Sequence, residues 1–180
     1  MSNTEKSNAR LQALQQAMLV GHCAESQTAV HNSRGHVGKL VAAYFYYIKE
    51  CIRKDFPSLQ YMRTHLSTEA AQYGGYIDAT GEVEAGKRMA FVGNSQCSTT
   101  LTHYNIHQCW LRNNSKLEVC LTDHSHMHID CFDESSVVVK AASPDCMCKV
   151  RLYGNSHVTI SGHVECVQVE HTNLPTYPER

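Results

Sequence analysis

The sequence predicts an α+β protein in which about three N-terminal helices cap a C-terminal two-sheet β-solenoid made of strand-and-turn units of about ten residues. Two observations support this prediction. Strand-like alternation of apolar and polar residues recurs at a fixed spacing between residues 94 and 162, and helical apolar stripes are confined to the N-terminal half. We therefore expect a helical head at residues 1–80, a solenoid at 81–171 and a tail at 172–180.

Two apolar stripes define the first two predicted helices. Leu11, Leu14 and Met18 recur at helical spacing, and a stronger stripe extends over Val37–Ile52. Because the residue before a proline disfavours the helical conformation, the second helix is expected to end near Asp55. The second stripe fits a buried core or a cap on the first solenoid coil, both of which we favour over an oligomer surface.

A short third helix is expected to follow Pro57, because proline suits the first position of a helix. The run Tyr73–Tyr76, with two central glycines, breaks the helical pattern, and Tyr76–Asp78 is expected to lead into the solenoid as a strand. The residues of the third helix expected to face inward are Leu59, Met62 and Leu66.

The repeat consists of units with the same internal pattern. Apolar or small residues occupy the fourth, sixth and eighth places, as Leu117, Val119 and Leu121 do in one unit. This alternation marks a strand with one buried face, and polar pairs such as Asn-Ser between the strands supply turn residues. The units begin at Asn94, Tyr104, Asn114, His124, Glu134, Asp145 and Asn155.

Two topologies are compatible with such short units, which leave no room for a helical crossover. In a solenoid each unit stacks on the unit about twenty residues away, whereas in an antiparallel meander it pairs with its immediate neighbour. We favour the solenoid, because a meander does not require the same inward pattern in every unit.

The solenoid predicts specific neighbours across its ladders. On an outer face, Asp130 and Arg151 are expected to form a cross-strand ion pair, worth at most about 1 kcal/mol if exposed. The inward ladders are expected to be Cys97, Leu117, Val137 and Val158; Thr99, Val119, Val139 and Ile160; His107, Met127 and Cys148; Cys109, Ile129 and Val150; and Leu111, Cys131 and Leu152.

Composition and charge exclude several classes of function. The formal net charge is -1, so the chain has no overall attraction to nucleic acid or acidic membranes. No apolar run is long enough to span a bilayer, and the polar N-terminus does not resemble a secretory signal. The nine cysteines, an odd number at mostly inward positions, fit free thiols in a reducing compartment. We expect a cytoplasmic protein that binds neither membrane nor nucleic acid.

One row of side chains could hold a metal. His124, His126, His128 and Asp130 alternate along a predicted strand, and imidazoles two residues apart can share a transition metal. An exposed row provides no closed ligand shell, so a polar outer face is the favoured interpretation. No cofactor is expected, and a transition metal on this row is the alternative.

The sequence predicts no enzymatic activity. It contains no nucleophile elbow, no phosphate-binding glycine-rich loop, no His-Glu-x-x-His and no dinucleotide fingerprint. The pair Cys146 and Cys148 has no second pair with which to bind zinc, so Cys148 is expected in the core and Cys146 at a turn.

Several stretches resemble a group of uncharacterised proteins from anaerobic gut bacteria and their phages or mobile elements. These stretches are Tyr46–Arg63, Gly75–Asp78, Asn114–Val119 and Gly154–Ile160. Proteins of that group join a short helical head to strand repeats with Asn-Ser or Asn-Ala turns, and the resemblance covers residues from about 37 to 162. It implies a β-solenoid and a phage or mobile-element setting in a bacterial cytosol, and it carries no catalytic motif. The strands of this chain are richer in cysteine and histidine than that pattern.

Three functions follow as hypotheses. The first is a non-enzymatic interaction or assembly module that forms homo-oligomers or binds a protein partner, because the last strand edge, near Ser161–Val169, must be covered by the tail or by a partner. The second is a counter-defence protein that sequesters a small-molecule nucleotide. The third, ranked last, is a metal-binding protein that uses the histidine row. The candidate ligand-binding residues are Arg34, Lys39, Arg53, Arg151 and Tyr153.

Overall fold

A computed structural model describes residues 3–17 and 24–178. The chain divides into two compact units, Met1–Tyr73 and Gly74–Arg180. The first unit is helical, and the second is a parallel β-solenoid of about four turns. The helices are α1 (Asn3–Ala17), α2 (Ala24–Ser33), α3 (Val37–Tyr46), α4 (Ile48–Arg53) and α5 (Leu59–His65), followed by a 3₁₀ helix at Ser67–Tyr73.

The prediction of about three helices is wrong in number. The stripe Val37–Ile52 forms two helices, because Tyr47 leaves the helical conformation at φ -100° and ψ 23°. Helix α2 was not predicted, since its buried residues are mainly small and polar and give no apolar stripe. Helix α5 confirms the third prediction, and Ser58 caps it by accepting a hydrogen bond from the Tyr61 N–H at 3.3 Å. Met18 lies outside the described residues.

Arg10 connects helix α1 to the rest of the helical unit through hydrogen bonds. Its buried guanidinium donates from Nε to the carbonyl oxygen of His65 at 2.7 Å and from Nη1 to that of Gly35 at 2.8 Å. A side chain at position 35 would place its Cβ 2.0 Å from the carbonyl oxygen of Ser7, so only glycine admits this contact. Among the described helices, none is long and apolar enough to cross a membrane.

Within its described residues the second unit contains nine strands, and every pairing between them is parallel. Each strand but the last pairs with the strand one coil later, which confirms the solenoid and shows that the meander is wrong. The long strand β8 (Ser136–Tyr153) passes through both series of ladders, so hydrogen bonds connect all nine strands in one sheet and not in the two that were predicted. The strands are β1 (Gly75–Ile77), β2 (Thr80–Glu82), β3 (Arg88–Val92), β4 (Gln96–Leu101), β5 (Ile106–Leu111), β6 (Lys116–Leu121), β7 (His126–Cys131), β8 (Ser136–Tyr153) and β9 (His157–His171).

The predicted inward ladders are confirmed in register. Cys97 lies opposite Leu117, and Leu117 lies opposite Val137. The ladders of the second series, which joins β5 to β7, agree in the same way, since Cys109 lies opposite Ile129. Side chains in the middle coils are excluded from solvent, and Val119 and Ile129 have 0% exposure. The solenoid core is therefore a stack of aliphatic and thiol side chains.

Buried serines build the turns at one edge of the solenoid. Ser135 accepts a hydrogen bond from the Phe132 N–H at 3.1 Å and donates to the carbonyl oxygen of Leu111, one coil earlier, at 3.3 Å. The hydroxyl thus adds a second hydrogen bond to each of two backbone groups that already bond to each other, since the Phe132 N–H donates to the Leu111 carbonyl oxygen at 2.9 Å. The equivalent serines are Ser95, Ser115, Ser135 and Ser156, all buried.

Candidate functional site

The last coil of the solenoid is open on one side. Strand β9 pairs with β8, and within the described part of the chain no other strand pairs with β9. Val137 and Val139 in β8 are 1% and 0% exposed, whereas the β9 residues opposite them, Val158 and Ile160, are only half-buried. A free edge of 15 residues presents a row of backbone N–H and C=O groups that can pair with another strand.

Strand β9 turns the corner of the coil directly after Gly162. This residue lies opposite Ala141 at φ +85°, and a Cβ here would lie 2.2 Å from the Ala141 carbonyl oxygen. Beyond the corner the register shifts, so that Val164 lies opposite Cys146. Four half-buried inward residues flank the glycine and form what we call the terminal patch: Val158, Ile160, Val164 and Cys166.

The inward column of β9 becomes polar beyond the terminal patch. Gln168 lies opposite Val150, and Glu170 lies opposite Leu152. Both side chains are exposed, and Gln168 Nε2 donates to Glu170 Oε1 at 2.8 Å. Stacking another apolar coil over this segment would bury a carboxylate, which is costly without a partner of opposite charge.

A buried polar network centred on Asp130 lies on the outer face of the other coils. Arg151 donates from Nε to Asp130 Oδ1 at 2.5 Å and from Nη2 to Oδ2 at 2.6 Å. The Tyr177 hydroxyl donates to Asp130 Oδ2 and accepts from Trp110 Nε1 at 3.0 Å. The predicted ion pair is thus confirmed, and the limit of about 1 kcal/mol set for an exposed pair does not apply, because Asp130 is 3% exposed beneath Tyr177.

Burial and charge shift the pKa values of this network. Burial raises the pKa of Tyr177 well above its usual value, and the carboxylate of Asp130 raises it further. For Arg151, burial lowers the pKa, but the hydrogen bonds and charge of Asp130 outweigh this effect, so the pKa is raised. The tyrosine is therefore neutral and the arginine charged throughout the physiological range.

The C-terminal tail follows a path that the sequence did not indicate. The tail was one of the two expected covers for the last strand edge, yet the Leu174 carbonyl accepts from the Gly154 N–H at 2.9 Å and Tyr177 packs on the outer face. The Tyr177 ring lies edge-on to Phe132 and Tyr153, which stack on each other with centroids 4.7 Å apart. The only sequence signal for this contact is an aromatic residue between Pro175 and Pro178.

The structure separates the members of the predicted histidine row. His124 lies in a turn at φ +59°, stacks on Tyr104 and places Nδ1 3.6 Å from Asp145 Oδ2. His126 and His128 lie on β7, and Asp130 is held by Arg151 and Tyr177. Among the side chains that the structure describes, no group of three or more from His, Cys, Asp or Glu is arranged to hold a metal ion.

The five predicted ligand-binding residues are divided between the two units. Arg34 and Lys39 are exposed and Arg53 is half-buried, all in the helical unit. Arg151 and Tyr153 belong to the network and aromatic stack of the solenoid unit. Their roles as ligand contacts stay predictions from the sequence.

The helical unit contains a polar cleft of about 360 Å³ that sequence reasoning missed. Arg10 Nη2 lies 3.6 Å from Glu69 Oε1 within it. Burial and the neighbouring charge of Arg10 both lower the pKa of His65. The polar and charged lining residues are Lys6, Arg10, Thr64, His65, Ser67 and Glu69.

The solenoid thiols are part of the core. The seven described cysteines of the solenoid unit form no disulfide, and Cys146, expected at a turn, is fully buried. Burial raises the pKa of Cys109 and Cys131 well above the usual range, and the charge of Asp130 adds to this effect. Neutral buried thiols are poor nucleophiles and metal ligands, so these cysteines pack as small apolar side chains.

No protein-family model, no curated protein and no solved structure matches the chain.

Proposed function

We propose that this protein is a non-enzymatic interaction module whose solenoid unit binds a β-strand of another protein chain along the free edge of β9. The proposal rests on one observation, the difference in solvent exposure between the inward side chains of neighbouring coils. Inward residues of β8 are excluded from solvent, while those of the terminal patch, one coil later, are half-buried. A bound strand would complete that burial.

Strand addition suits the chemistry of this edge. Main-chain hydrogen bonds to the free N–H and C=O groups would supply affinity, and the terminal patch would select apolar side chains at alternate positions of the partner. The proposed setting is the one implied by the resemblance, namely a phage or mobile element in a bacterial cytosol. No cofactor takes part in this function.

A photo-crosslinking experiment in the native cells tests the proposal. The crosslinking amino acid p-benzoylphenylalanine replaces Val167, which lies on β9 and is 48% exposed, or Tyr104, which is 77% exposed and outside β9. We expect crosslinks to a protein chain from position 167 but not from position 104, and we expect Ile160→Lys to abolish them. Equal crosslinking from both positions, or crosslinks that survive Ile160→Lys, would contradict strand addition.

Binding of a small anion in the helical unit is the second candidate function. The cleft beside Arg10 favours it, because the cationic side chains of Lys6 and Arg10 both line it and the Glu69 carboxylate offsets only one of the two charges. We expect nucleotides to raise the melting temperature in proportion to the logarithm of their concentration. The shift should disappear in Lys6→Ala, which alters the lining, and persist in Lys39→Ala, which does not. Absence of any shift at millimolar nucleotide would rule this candidate out.

A further inference from the structure

We infer that Cys148 and Cys166 form an intramolecular disulfide in the presence of a peroxide, and that this bond ties the last coil of the solenoid to the coil before it. The two residues lie opposite each other in the ladder between β8 and β9. The inference goes beyond the proposed function, because it holds whichever chain binds the edge of β9. It assigns a site of oxidative modification to the terminal coil.

The register of the ladders brings these two cysteines face to face and no other two. In the remaining pairings of the described strands, the residue opposite a cysteine is never a cysteine; Cys109 lies opposite Ile129, for example, and Cys146 lies opposite Val164. Neighbouring strands lie about 4.8 Å apart, and the Cα atoms of a disulfide are usually about 4.4–6.8 Å apart. Because both side chains point inward from adjacent strands, a disulfide is compatible with the pairing of β8 and β9.

The two thiols differ in their access to solvent. Cys148 is 3% exposed, whereas Cys166 belongs to the half-buried terminal patch, over which no further strand lies within the described part of the chain. Burial raises the pKa of both thiols; the neighbouring Cys166 raises that of Cys148 further, whereas a hydrogen bond from Cys148 partly offsets the effect of burial on Cys166. Cys166 is therefore the thiol that a peroxide in solution reaches first.

The reaction proceeds in two balanced steps. The sulfur of Cys166 attacks one oxygen of hydrogen peroxide, the O–O bond breaks, and the products are a sulfenic acid on Cys166 and one water, which carries away the thiol proton. The sulfur of Cys148 then attacks the Cys166 sulfur, the S–O bond breaks, and a second water leaves as the S–S bond forms. The two thiols lose two electrons and two protons, and the peroxide is reduced to two waters. The second step is intramolecular, because the ladder already holds the two sulfurs side by side.

The disulfide should stabilise the terminal coil reversibly. A covalent link between β8 and β9 restricts the unfolded chain, so we expect the urea midpoint of the solenoid unit to rise after treatment with hydrogen peroxide. Dithiothreitol should restore the original midpoint, since Cys166 is only half-buried and the bond is open to reduction. The midpoint of Cys166→Ala should not rise with peroxide. An equal rise in this variant would mean that the stabilisation does not come from the disulfide.

Peptide mapping tests the site of the bond. The folded protein is treated with hydrogen peroxide, its remaining thiols are blocked with iodoacetamide, and it is digested with trypsin. We expect a covalently linked pair of peptides, Ala141–Lys149 and Leu152–Arg180, which dithiothreitol separates. A non-reducing gel should show the mass of a single chain. Absence of the linked pair, or a link between two chains, would overturn the inference.

Cysteine variants identify the partner of Cys166 on β8, because the first peptide contains both Cys146 and Cys148. Cys148→Ala and Cys166→Ala should each abolish the link, whereas Cys146→Ala, at a buried thiol opposite Val164, should leave it intact. Fragmentation of the linked wild-type peptides between positions 146 and 148 assigns the bond without any substitution. A link to Cys146, or one that survives Cys148→Ala, would overturn the inference.

Discussion

Arg151 binds Asp130, the residue opposite it in the preceding coil, through two parallel hydrogen bonds of 2.5 and 2.6 Å. Side-on pairing of this kind is among the strongest available to an arginine and a carboxylate. Because Tyr177 covers the pair, the Asp130 side chain is 4% exposed while that of Arg151 is 33% exposed. The ion pair is therefore part of the structure that holds the tail on the solenoid.

Replacement of Arg151 should destabilise the solenoid unit strongly. Arg151→Met leaves the Asp130 carboxylate buried without its cation, and we expect a loss of about 2–3 kcal/mol in the free energy of unfolding. Asp130→Asn in the same chain should restore part of this loss. The measurement is urea denaturation followed by the fluorescence of Trp110, the single tryptophan of the chain.

An exposed ion pair provides the control for Arg151→Met. Lys140 Nζ lies 2.7 Å from Glu118 Oε1, and both side chains are at least half exposed. Lys140→Met should change the free energy of unfolding by about 0.5 kcal/mol or less. Similar losses in the two variants would show that burial does not strengthen the Asp130 pair.

Removal of the Tyr177 hydroxyl should loosen the tail. Tyr177→Phe removes the hydroxyl that accepts from Trp110 Nε1 and donates to Asp130, while Arg151 still donates to Asp130, so we expect a loss of about 1 kcal/mol. Tyr177→Ala should in addition shift the Trp110 emission to longer wavelength as water reaches the indole. Tyr104→Phe, at an exposed tyrosine, should change neither quantity. An unshifted emission in Tyr177→Ala would contradict the tail contact.

Stability should fall at alkaline pH. The pKa values of Cys131 and Tyr177 are raised in the folded state, so the unfolded chain loses these protons first, from about pH 9 for thiols and about pH 10 for tyrosine. The stabilisation is complete below those values and declines as the pH rises. Urea midpoints should be level at neutral pH and decrease above about pH 9. Cys131→Val should flatten the decrease more than Cys120→Val, since Cys120 is only half-buried. If the urea midpoint decreased equally with pH in both variants and in the wild type, the buried Cys131 thiol would not contribute to the loss of stability.

Each buried turn serine should contribute measurably. Ser135→Ala removes the hydroxyl bonds to the Phe132 N–H and the Leu111 carbonyl, which stay bonded to each other, and we expect a loss of about 1 kcal/mol. Ser136→Ala, at the adjacent outward position, should cost less than about 0.5 kcal/mol. Trp110 fluorescence during urea denaturation measures both. Equal losses of stability in the two variants would mean that the buried serine hydroxyls do not stabilise the turns.

The register of the solenoid was predictable because two periodicities act together. Alternation of side chains along a strand decides which face Leu117 and Val137 occupy, and the repeat places one above the other. A slip by one residue would turn every apolar side chain of the strand outward, so only one register buries them. The same logic fails for the helices, where α2 lacks an apolar stripe and where the break at Tyr47 leaves no mark in the pattern.

The sequence by itself determined the solenoid, the inward ladders and the opposition of Asp130 to Arg151, because these follow from local spacing that every coil repeats. Only the tertiary structure decided that Tyr177 covers that pair and that the terminal patch stays half-buried. Both depend on the path of the chain after His171, which carries no repeat. A single contact between residues distant in sequence leaves no periodic signal, yet it changes the exposure of the Asp130 carboxylate and with it the energy of the ion pair.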